Sequence, residues 1–466
     1  MLTAVIYHQT VEQVERSIAE CDDAISVIEW RLDALSKIDM NTIKTVCELT
    51  KKPIILTLRC TRDGGEFSGS EAQRRAILLQ LAQCGADFID IEHHVDTNFI
   101  DKVMKTQTKT KMIRSYHNFE KTPANIESIF YELHHTGVSQ YKMATTPLSS
   151  LDGLRLLQLS KRHRNLSAHC MGEDGVFTRI LAAACDTPFL YATLEHNPHL
   201  PTVLTVQQWR QYRFSVINNA TPFYALVGDP VSHSPGHLFH NAEFEKNNSP
   251  AVYLKIKLDK SEFTQFLNMT KIFNFRGLSI TIPLKQVAAK HLSADLRAIN
   301  TLSCNNSRQY ANTDGPGAVK AIETATNIKG THILFLGAGG TACGIINELK
   351  QKECKISVLA RDVKKAQFSL RLMSVEIYNT PDNIENVDII VGTVPPGAYK
   401  KPEYLASIKP LISAHTTVMD VNYYPEITPL LKLALSNNAK IIKGTDMFRE
   451  QAALQQAFWR DATSGT

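Results

Sequence analysis

The sequence predicts an α/β protein, with a (β/α)8 barrel in its N-terminal half and a two-lobed α/β unit after it. The barrel is indicated by eight short β-branched or aromatic runs: TAVIYH, AISVIEWRLD, PIILTLRC, DFIDIEHH, TKMIRSYH, SQYKMAT, NLSAHCMG and PFLYATL. Segments with helical spacing of apolar residues separate most of these runs, as in SEAQRRAILLQLAQCG and NIESIFYELHHTG, and the second segment closes on a glycine suited to a helix C-cap. Eight alternating units in about 200 residues are typical of a (β/α)8 barrel.

The regular alternation stops at RQYRFSVINNATPF, where polar and turn-prone residues precede a new strand, YALVG. We therefore predict that the barrel covers residues 1–213. A second α/β lobe is predicted over 220–322 and is completed by the last helix, EQAALQQAFW, within 440–466. The remaining lobe, 323–439, begins with the strand and glycine turn of THILFLGAGG.

Composition and charge exclude several classes of protein. The 466 residues are 43% hydrophobic and 21% charged, which is ordinary globular usage. The formal net charge is +5, and no dense Lys/Arg block is present, so we expect small anionic substrates rather than nucleic acid.

Cysteine usage and hydropathy indicate where the protein works. The nine cysteines are scattered without a CxxC pair, so we expect neither a disulfide framework nor a metal site. MLTAVIYHQT has no basic leader segment, and nowhere do about 18 apolar residues run together. We therefore expect a cytoplasmic protein that is neither exported nor membrane-spanning.

Polar side chains close several of the barrel runs, where a (β/α)8 barrel places its chemistry. They are Glu29, Arg31, Arg59, Glu92, His117 and Lys142. Guanidinium groups beside a lysine suit a site that binds a carboxylate and lowers the pKa of the lysine, so that a neutral amine can attack a ketone. Taken singly, Lys142 could be a strand-end lysine that extends to solvent and His117 a structural histidine. On consecutive strands, the pair favours an imine-forming nucleophile and its proton shuttle.

Five segments then show a family resemblance that spans almost all of residues 1–213. IEWRLD (28–33), LRCTRDGG (58–65), SYHNFEKTP (115–123), YKM (141–143) and GVFTR (175–179) resemble, in order, the motifs of type I 3-dehydroquinate dehydratases. The resemblance implies that Lys142 forms a Schiff base with the substrate ketone, and that His117 abstracts the C2 proton and assists water loss. The residues implied in substrate binding are Glu29, Arg31, Arg59, Asp63 and Arg179.

This half departs from the family pattern at two places. Asp63 stands where the family usually has glutamate, one methylene longer. The segment HNPHLPTVLT (196–205) lacks the serine and glutamine of the family's last loop, which usually closes over the substrate. We expect different lid contacts here, whereas imine formation does not depend on them.

The segment LFLGAGGTACGIINELK (334–350) indicates a strand, a glycine turn and a helix that bind a dinucleotide. Glycines let backbone amides approach a pyrophosphate at the helix N-terminus. A tight turn without a ligand is the alternative. The residues predicted to contact the cofactor here are Gly337, Ala338, Gly339, Gly340, Thr341 and Ala342.

The next strand, KISVLARD, ends in Arg361 where an NAD-preferring site would have an acidic residue, and Lys364 and Lys365 follow. A guanidinium suits a 2′-phosphate, so we predict NADP as cofactor. Two alternatives stay open: an NAD preference, because the acidic Asp362 is adjacent, and basic residues without a ligand, because exposed basic residues at a strand end are often merely solvated.

Five further segments resemble the shikimate dehydrogenase family over essentially 220–460. They are VGDPVSHS (227–234), GLSITIPLK (277–285), AINTLSCNNSRQYANTDGPG (298–317), DVNYYPEITPLL (420–431) and GTDMFREQAALQQAFW (444–459). The resemblance implies that Lys285 and Asp314 form the catalytic pair. The sequence itself places Lys285 just beyond a strand-ending proline and Asp314 in a polar loop. An ammonium can stabilise and protonate the oxygen of a ketone that receives hydride, while a carboxylate keeps that lysine oriented. The residues implied in holding the substrate are Ser232, Ser234, Thr281, Asn300, Tyr423 and Gln451, and Met447 is implied near the nicotinamide.

This half also departs from its pattern. Gly236 stands in place of a second serine after Ser234, and Ser279 replaces a common asparagine. We expect an effect on substrate affinity or on discrimination between related ring acids.

Together the two resemblances imply a bifunctional enzyme. It would dehydrate 3-dehydroquinate to 3-dehydroshikimate and reduce that ketone to shikimate with NADPH. A non-catalytic sensor of the same metabolites and a quinate-using enzyme are the alternatives, and the sensor would have little reason to keep both catalytic pairs. The sequence carries no prediction of oligomeric state.

Overall fold

The computed structural model describes residues 1–106, 109–305, 309–371 and 373–464. Residues 306–308, which belong to the third shikimate dehydrogenase-like segment, lie outside the described residues. The chain divides into two compact units: Met1–Phe223 with Asn241–Leu258 and Thr264–Asn274, and Tyr224–His240 with Asp259–Phe263 and Phe275–Thr466. The lobe boundaries drawn from the sequence stay predictions.

Each of the eight predicted runs contains one strand of a single parallel sheet. The strands are β1 Leu2–Ile6, β2 Val27–Arg31, β3 Ile54–Thr57, β4 Phe88–Glu92, β5 Lys111–Asn118, β6 Gln140–Thr145, β7 Leu166–Cys170 and β8 Leu190–Ala192. Their order is β7-β6-β5-β4-β3-β2-β1-β8, the cyclic order of a (β/α)8 barrel. A hydrogen bond of 3.0 Å from Phe189 N, just before β8, to Ser167 Oγ on β7 links the two ends of this order. The predicted barrel is confirmed.

Helices follow the strands in alternation. They are α1 Val11–Ala19, α2 Met40–Leu49, α3 Glu71–Leu81, α4 Thr97–Thr106, α5 Ile126–Leu133, α6 Ser150–Arg162, α7 Val176–Ala183 and α8 Val206–Gln211. Helix α3 begins where Ser70 and Gln73 form a capping box. Helix α5 ends earlier than the glycine signal predicted, because His134 turns to extended backbone and stacks on Tyr141, with ring centroids 4.9 Å apart; Gly137 lies beyond it.

Alternation along the strands explains why polar groups gather at one end of the barrel. Val27 on β2 and Ile113 on β5 belong to one buried apolar cluster. Because side chains two residues apart share a face of a strand, Glu29 follows Val27 on its face and Ser115 follows Ile113. Ser115 is the register partner of Lys142 on β6. The carboxyl ends of these strands are therefore polar, while the preceding layer is apolar.

The remaining strands form two sheets. The first has the order β10-β9-β11-β12-β13 and contains β9 Phe223–Gly228, β10 Val252–Lys257, β11 Phe275–Ile280, β12 Thr301–Ser303 and β13 Tyr310–Ala311. The second contains β14 His332–Leu336, β15 Lys355–Leu359, β16 Glu376–Tyr378, β17 Ile389–Gly392, β18 Thr417–Asp420 and β19 Lys440–Ile442. Its order is β16-β15-β14-β17-β18-β19, and its pairs are parallel, which is the doubly wound arrangement predicted for a Rossmann lobe.

The helices of this part of the chain are α9 Gly236–Lys246, α10 Phe263–Met269, α11 Lys285–His291, α12 Asp314–Ala325, α13 Gly340–Leu349, α14 Val363–Leu370, α15 Pro402–Ile408, α16 Pro429–Ser436 and α17 Gly444–Ser464. Apolar residues on β14 alternate between two buried clusters: Ile333 and Phe335 pack in one, and Leu334 and Leu336 pack in the other. The sheet is therefore covered on both faces. Within the described ranges, none of the helices combines the length and the apolarity that crossing a membrane requires.

Candidate active sites

A cavity of about 360 Å³ opens at the carboxyl ends of the barrel strands. The seven residues that the family resemblance implies for this half all line it: Glu29, Arg31, Arg59, Asp63, His117, Lys142 and Arg179. They come from β2, the loop after β3, β5, β6 and α7. The barrel thus brings together side chains that are up to 150 positions apart in the sequence, from Glu29 to Arg179.

Lys142 lies in this cavity and is only 6% exposed. Its Nζ is 3.1 Å from Glu29 Oε1 and 3.8 Å from the ring centroid of Tyr191. Burial, assisted by the positive charge of Arg59, lowers the pKa of Lys142, although Glu29 and Asp90 act in the opposite direction. The low-dielectric environment therefore favours the neutral amine.

His117 lies near Asp63, with 3.7 Å between Nδ1 and Oδ1. This separation is too long for a direct hydrogen bond. Burial, together with the charges of Arg59 and Lys142, lowers the pKa of His117 to about 4, although Asp63 opposes the shift. Burial alone would raise the pKa of Asp63, but contacts with His117 and His94 outweigh it and lower that pKa. The imidazole is therefore neutral, and the carboxyl group is ionised, at neutral pH.

The three guanidinium groups have different partners. Arg31 donates to both oxygens of Asp33, at 2.8 and 2.7 Å. Arg59 donates to both oxygens of Asp90, at 3.0 and 2.7 Å. Among the described residues, Nε of Arg179 has no hydrogen-bond partner, and burial lowers the pKa of this residue to about 10. Arg179 thus has a buried donor left for a ligand carboxylate.

Sequence reasoning missed three residues of this site. Asp90 pairs with Arg59 and accepts a 2.5 Å hydrogen bond from Ser115 Oγ. His169 and Tyr191 line the cavity. The available signal for Asp90 was a carboxylate inside the apolar run DFIDIEHH, two positions before Glu92 on the same face. Glu92 does not line the cavity, and its carboxylate instead lies 2.5 Å from Arg74 Nη1.

The loop that lacks the family's serine and glutamine still borders the cavity. Its lining residues are His199, Leu200, Pro201, Thr202 and Val203. The ring of His199 stacks on Tyr7 at 5.1 Å, and its Nδ1 lies 3.3 Å from Glu66 Oε1. Thr202 Oγ1 accepts a 3.2 Å hydrogen bond from Gly172 N. The loop is therefore held by side chains different from those expected for the family.

The second predicted catalytic pair is in contact: Lys285 Nζ forms an ion pair with Asp314 Oδ2. Lys285 begins α11, after the turn that follows β11. Asp314 is not in a loop, as the sequence indicated, but is the first residue of α12, and its backbone N–H donates to Asn312 Oδ1 at 3.0 Å. A carboxylate is favoured there because the N-terminal end of a helix is electropositive.

Asn300 ties this pair to the last helix. Its Nδ2 donates to Asp314 Oδ1 at 2.8 Å and to Thr313 Oγ1 at 3.0 Å, and it lies 3.4 Å from Gln451 Oε1 on α17. Its Oδ1 accepts from Thr313 N at 2.8 Å. Four predicted residues, Lys285, Asp314, Asn300 and Gln451, therefore form one hydrogen-bonded network.

The other predicted substrate residues take different positions. Ser234 is buried and its Oγ accepts a 3.2 Å hydrogen bond from Gly236 N, while Tyr423 contacts Ser234 and has a pKa raised by burial. Ser232 is exposed, and Thr281 N donates to Val227 O at 2.9 Å. Met447 is 7% exposed and packs in the same cluster as Ala338 of the glycine turn.

The predicted dinucleotide turn lies between β14 and α13. Gly337 has φ of +102°, a backbone conformation that side chains with a Cβ rarely adopt. Thr341 follows Gly340 in the first turn of α13, and Ala342 is fully buried beneath it. A Cβ at Gly339 or Gly340 would meet no atom within 4 Å, so there is space above the turn. These residues fit a pyrophosphate at the N-terminus of α13.

At the end of β15, Arg361, Lys364 and Lys365 are all exposed. The adjacent acid, Asp362, caps α14 by accepting a 2.9 Å hydrogen bond from Lys365 N. Its carboxylate thus has a structural partner, whereas the three basic side chains are accessible.

Comparison with known proteins identifies a family for each half of the chain. A model of type I 3-dehydroquinase matches residues 3–218, and a model of the shikimate dehydrogenase substrate binding domain matches residues 226–305. The "Shikimate dehydrogenase (NADP(+))" of Methanococcus maripaludis is 32% identical over 262 residues, covering 52% of this chain and 94% of that protein. The chain belongs to the type I 3-dehydroquinase and shikimate dehydrogenase families.

Relatives that contain both halves are also known. The "Shikimate biosynthesis protein AroDE" of Chlamydia pneumoniae is 27% identical over 471 residues, covering 98% of this chain and 95% of that protein. The chloroplastic bifunctional 3-dehydroquinate dehydratase/shikimate dehydrogenase of Arabidopsis thaliana is 27% identical over 485 residues, covering 95% and 79% respectively. This chain is therefore an enzyme with 3-dehydroquinate dehydratase and shikimate dehydrogenase activities of the shikimate pathway.

Proposed function

We propose that Lys142 and His117 carry the dehydration, that Lys285 and Asp314 carry the reduction, and that NADP is the cofactor. The observation that supports the first assignment most strongly is the environment of Lys142. An amine that is buried in a substrate-sized cavity, with a lowered pKa, is the kind of lysine that condenses with a ketone.

In the proposed dehydration, the neutral amine of Lys142 adds to the ketone carbon of 3-dehydroquinate. The resulting carbinolamine loses its oxygen as water, and an imine remains. The imine makes the neighbouring C2 proton acidic, and His117 accepts that proton as the electron pair shifts to an enamine. The enamine expels the ring hydroxyl, which takes the proton from His117 and leaves as water. Hydrolysis of the imine releases 3-dehydroshikimate and restores Lys142.

The arginines and acids of the cavity would hold the ring. Arg179 is proposed to bind the carboxylate, because its Nε is buried without a partner in the described structure. Arg31 and Arg59 each already bind both oxygens of an aspartate. They would therefore contribute positive electrostatic potential to the site and bind the substrate through their remaining N–H groups. Glu29 would accept from a substrate hydroxyl, and Asp63 would orient His117.

For the reduction, NADPH supplies hydride to the ketone carbon of 3-dehydroshikimate when it is bound. Lys285 would give its proton to the developing oxyanion, and Asp314 would keep the ammonium aimed. Asn300 and Thr281 would bind ring hydroxyls, and Ser232 and Ser234 with Tyr423 would bind the carboxylate. Gln451 supports this arrangement through its contact with Asn300.

The environment of the charged side chains at the end of β15 supports a preference for NADP. Asp362 is engaged as a helix cap, while Arg361, Lys364 and Lys365 are exposed and would pair with a 2′-phosphate. The glycine turn would receive the pyrophosphate, with Met447 close to the nicotinamide.

Chemical trapping tests the nucleophile directly. Borohydride added with 3-dehydroquinate should leave a stable adduct on Lys142, located by peptide mass mapping. Adduct on another lysine would contradict the assignment. Protein from the same preparation, not treated with borohydride, should convert 3-dehydroquinate to shikimate when NADPH is supplied. Turnover of quinate should be compared with turnover of shikimate, with NADP and with NAD as cofactor. Rapid quinate turnover would overturn the proposed substrate.

A further inference from the structure

Three potential metal ligands converge beside the barrel cavity, although the sequence spacing indicated no such group. Sγ of Cys60, a carboxylate oxygen of Asp63 and a ring nitrogen of His94 all lie within 4.8 Å of one another. Cys60 Sγ is 3.4 Å from Asp63 Oδ2, and His94 Nδ1 is 3.1 Å from the same oxygen. Cys60 and His94 do not line the cavity, whereas Asp63 does.

These separations fit the edges of a tetrahedral zinc site. With Zn–S near 2.3 Å and Zn–N or Zn–O near 2.0–2.1 Å, tetrahedral angles require edges of about 3.5 Å for sulfur to oxygen and about 3.3 Å for nitrogen to oxygen. The observed 3.4 and 3.1 Å are each within about 0.2 Å of those values. Two of the three edges therefore match a tetrahedral site, and the third, between Cys60 and His94, is no longer than 4.8 Å.

Two further features favour a cation here. His94 Nδ1 is buried and forms no hydrogen bond of acceptable geometry, although it lies close to Asp63. Backbone N–H groups also hold the site in place: Cys60 N donates to the side-chain oxygen Glu92 Oε1 at 3.1 Å, and Asp63 N donates to the backbone oxygen of Cys60 at 3.1 Å. Cys60 is half-buried and the side chain of His94 is 14% exposed, so these two ligands are more exposed than Asp63, whose side chain is 2% exposed.

We propose that Cys60, Asp63 and His94 bind a thiophilic divalent cation, zinc in particular, and that this binding inhibits dehydration without blocking substrate entry. The inhibition rests on the proposed role of Asp63 as the partner of His117. Zinc on Oδ2 would withdraw negative charge from the carboxylate whose Oδ1 faces His117 at 3.7 Å. The proton-bearing form of His117 would lose its stabilising partner, so the proton transfer would slow. The cation leaves the reductase site untouched.

Binding is tested separately from activity, with cobalt(II) chloride as a spectroscopic probe added to the full chain. Cobalt bound through a thiolate gives a near-ultraviolet absorption that oxygen and nitrogen ligands alone do not. The wild-type chain should show this band with one equivalent, and both Cys60→Ala and His94→Gln should weaken it. Cys21→Ala is the matched control, because Cys21 is also half-buried and its thiol pKa, like that of Cys60, is raised by burial to about 11. A band that persists in Cys60→Ala would overturn the site.

Activity is then measured with zinc chloride in a non-chelating buffer. Zinc should lower kcat for dehydration by about tenfold or more, with KM unchanged. Shikimate oxidation by the same chain should be unaffected, and Cys60→Ala should resist zinc while keeping its dehydration rate without the metal. Equal inhibition of both reactions, or equal zinc sensitivity in Cys60→Ala, would overturn the inference. Loss of dehydration in the metal-free wild type would show that the cation activates the reaction and would also overturn the inference. Borohydride adduct on a lysine other than Lys142 would instead contradict the proposed function, and the cobalt spectrum would still report on the site.

Discussion

Lys142 Nζ lies 3.1 Å from Glu29 Oε1, although the two residues are 113 positions apart in the chain. The contact joins β6 to β2 across the barrel, and it opposes the effect that burial has on the lysine. The pKa of Lys142 is thus set by a balance between a low-dielectric cavity and a nearby carboxylate.

Glu29→Gln should shift that balance toward the neutral amine. Without the negative charge, the pKa of Lys142 should fall further, so the acidic limit of borohydride trapping should move to lower pH by about one unit. Glu66→Gln is the control, because the carboxylate of Glu66 contacts His199 and not Lys142. A shift to higher pH would show that the carboxylate does not stabilise the ammonium. Substrate affinity should weaken as well, since Glu29 is proposed to bind a hydroxyl.

Substitution of either lysine should separate the two reactions. Lys142→Ala should abolish dehydration and leave NADP-dependent oxidation of shikimate intact, since the two proposed sites share no residue. Lys285→Ala should lower the oxidation rate by about 10²–10⁴-fold and leave dehydration intact. Each reaction is assayed alone, and circular dichroism checks folding. If one substitution silenced both reactions in a folded chain, the assignment of two independent sites would be wrong.

The imidazole of His117 should stay uncharged at pH values well below the usual pKa of histidine. Burial and the charges of Arg59 and Lys142 lower its pKa from 6.5 to about 4, so the folded chain binds this proton less readily than the unfolded chain. The contribution of this residue to stability is therefore lost as the pH falls from 6.5 toward 4. NMR of ¹³C-labelled histidine, with His117→Gln for assignment, should give a midpoint of about 4. A midpoint near 6.5 would contradict the buried, neutral imidazole.

Arg361→Ala should weaken binding of NADP more than binding of NAD. The guanidinium is proposed to pair with the 2′-phosphate, and one charge-assisted contact contributes about 1.5–3 kcal/mol. KM for NADP in shikimate oxidation should therefore rise by about tenfold or more. Lys432→Ala, an exposed substitution on α16, should leave both KM values unchanged. Equal losses for the two cofactors would count against the role given to Arg361.

Gly65→Ala should destabilise the barrel half. A Cβ at this position would stand 2.1 Å from the backbone oxygen of Arg59, which cannot move without shifting the loop that carries Arg59 and Asp63. We expect a loss of about 1–3 kcal/mol in the free energy of unfolding, measured with urea, and a lower dehydration rate. Gly344→Ala is the matched control: its Cβ would meet no atom within 4 Å, and alanine in the middle of α13 should stabilise that helix by about 0.5–1 kcal/mol.

The local sequence determined the strands, the order of the two halves and most of the candidate site residues. Strand runs such as SQYKMAT and turns such as GAGG are specified by neighbours a few residues apart, through side-chain alternation and the backbone freedom of glycine. For this reason, each of the eight predicted runs contains a barrel strand, and Lys142 and His117 could be placed at the carboxyl ends of strands.

Only the tertiary structure decided which of the polar side chains come into contact. The pairing of Arg59 with Asp90, the contact of Lys142 with Tyr191, and the convergence of Cys60 and His94 on Asp63 each join different strands or loops. The same is true of Asn300 and Gln451, which are 151 positions apart. Such contacts depend on strand order and register, which are set by packing over the whole core, so no local pattern in the sequence encodes them.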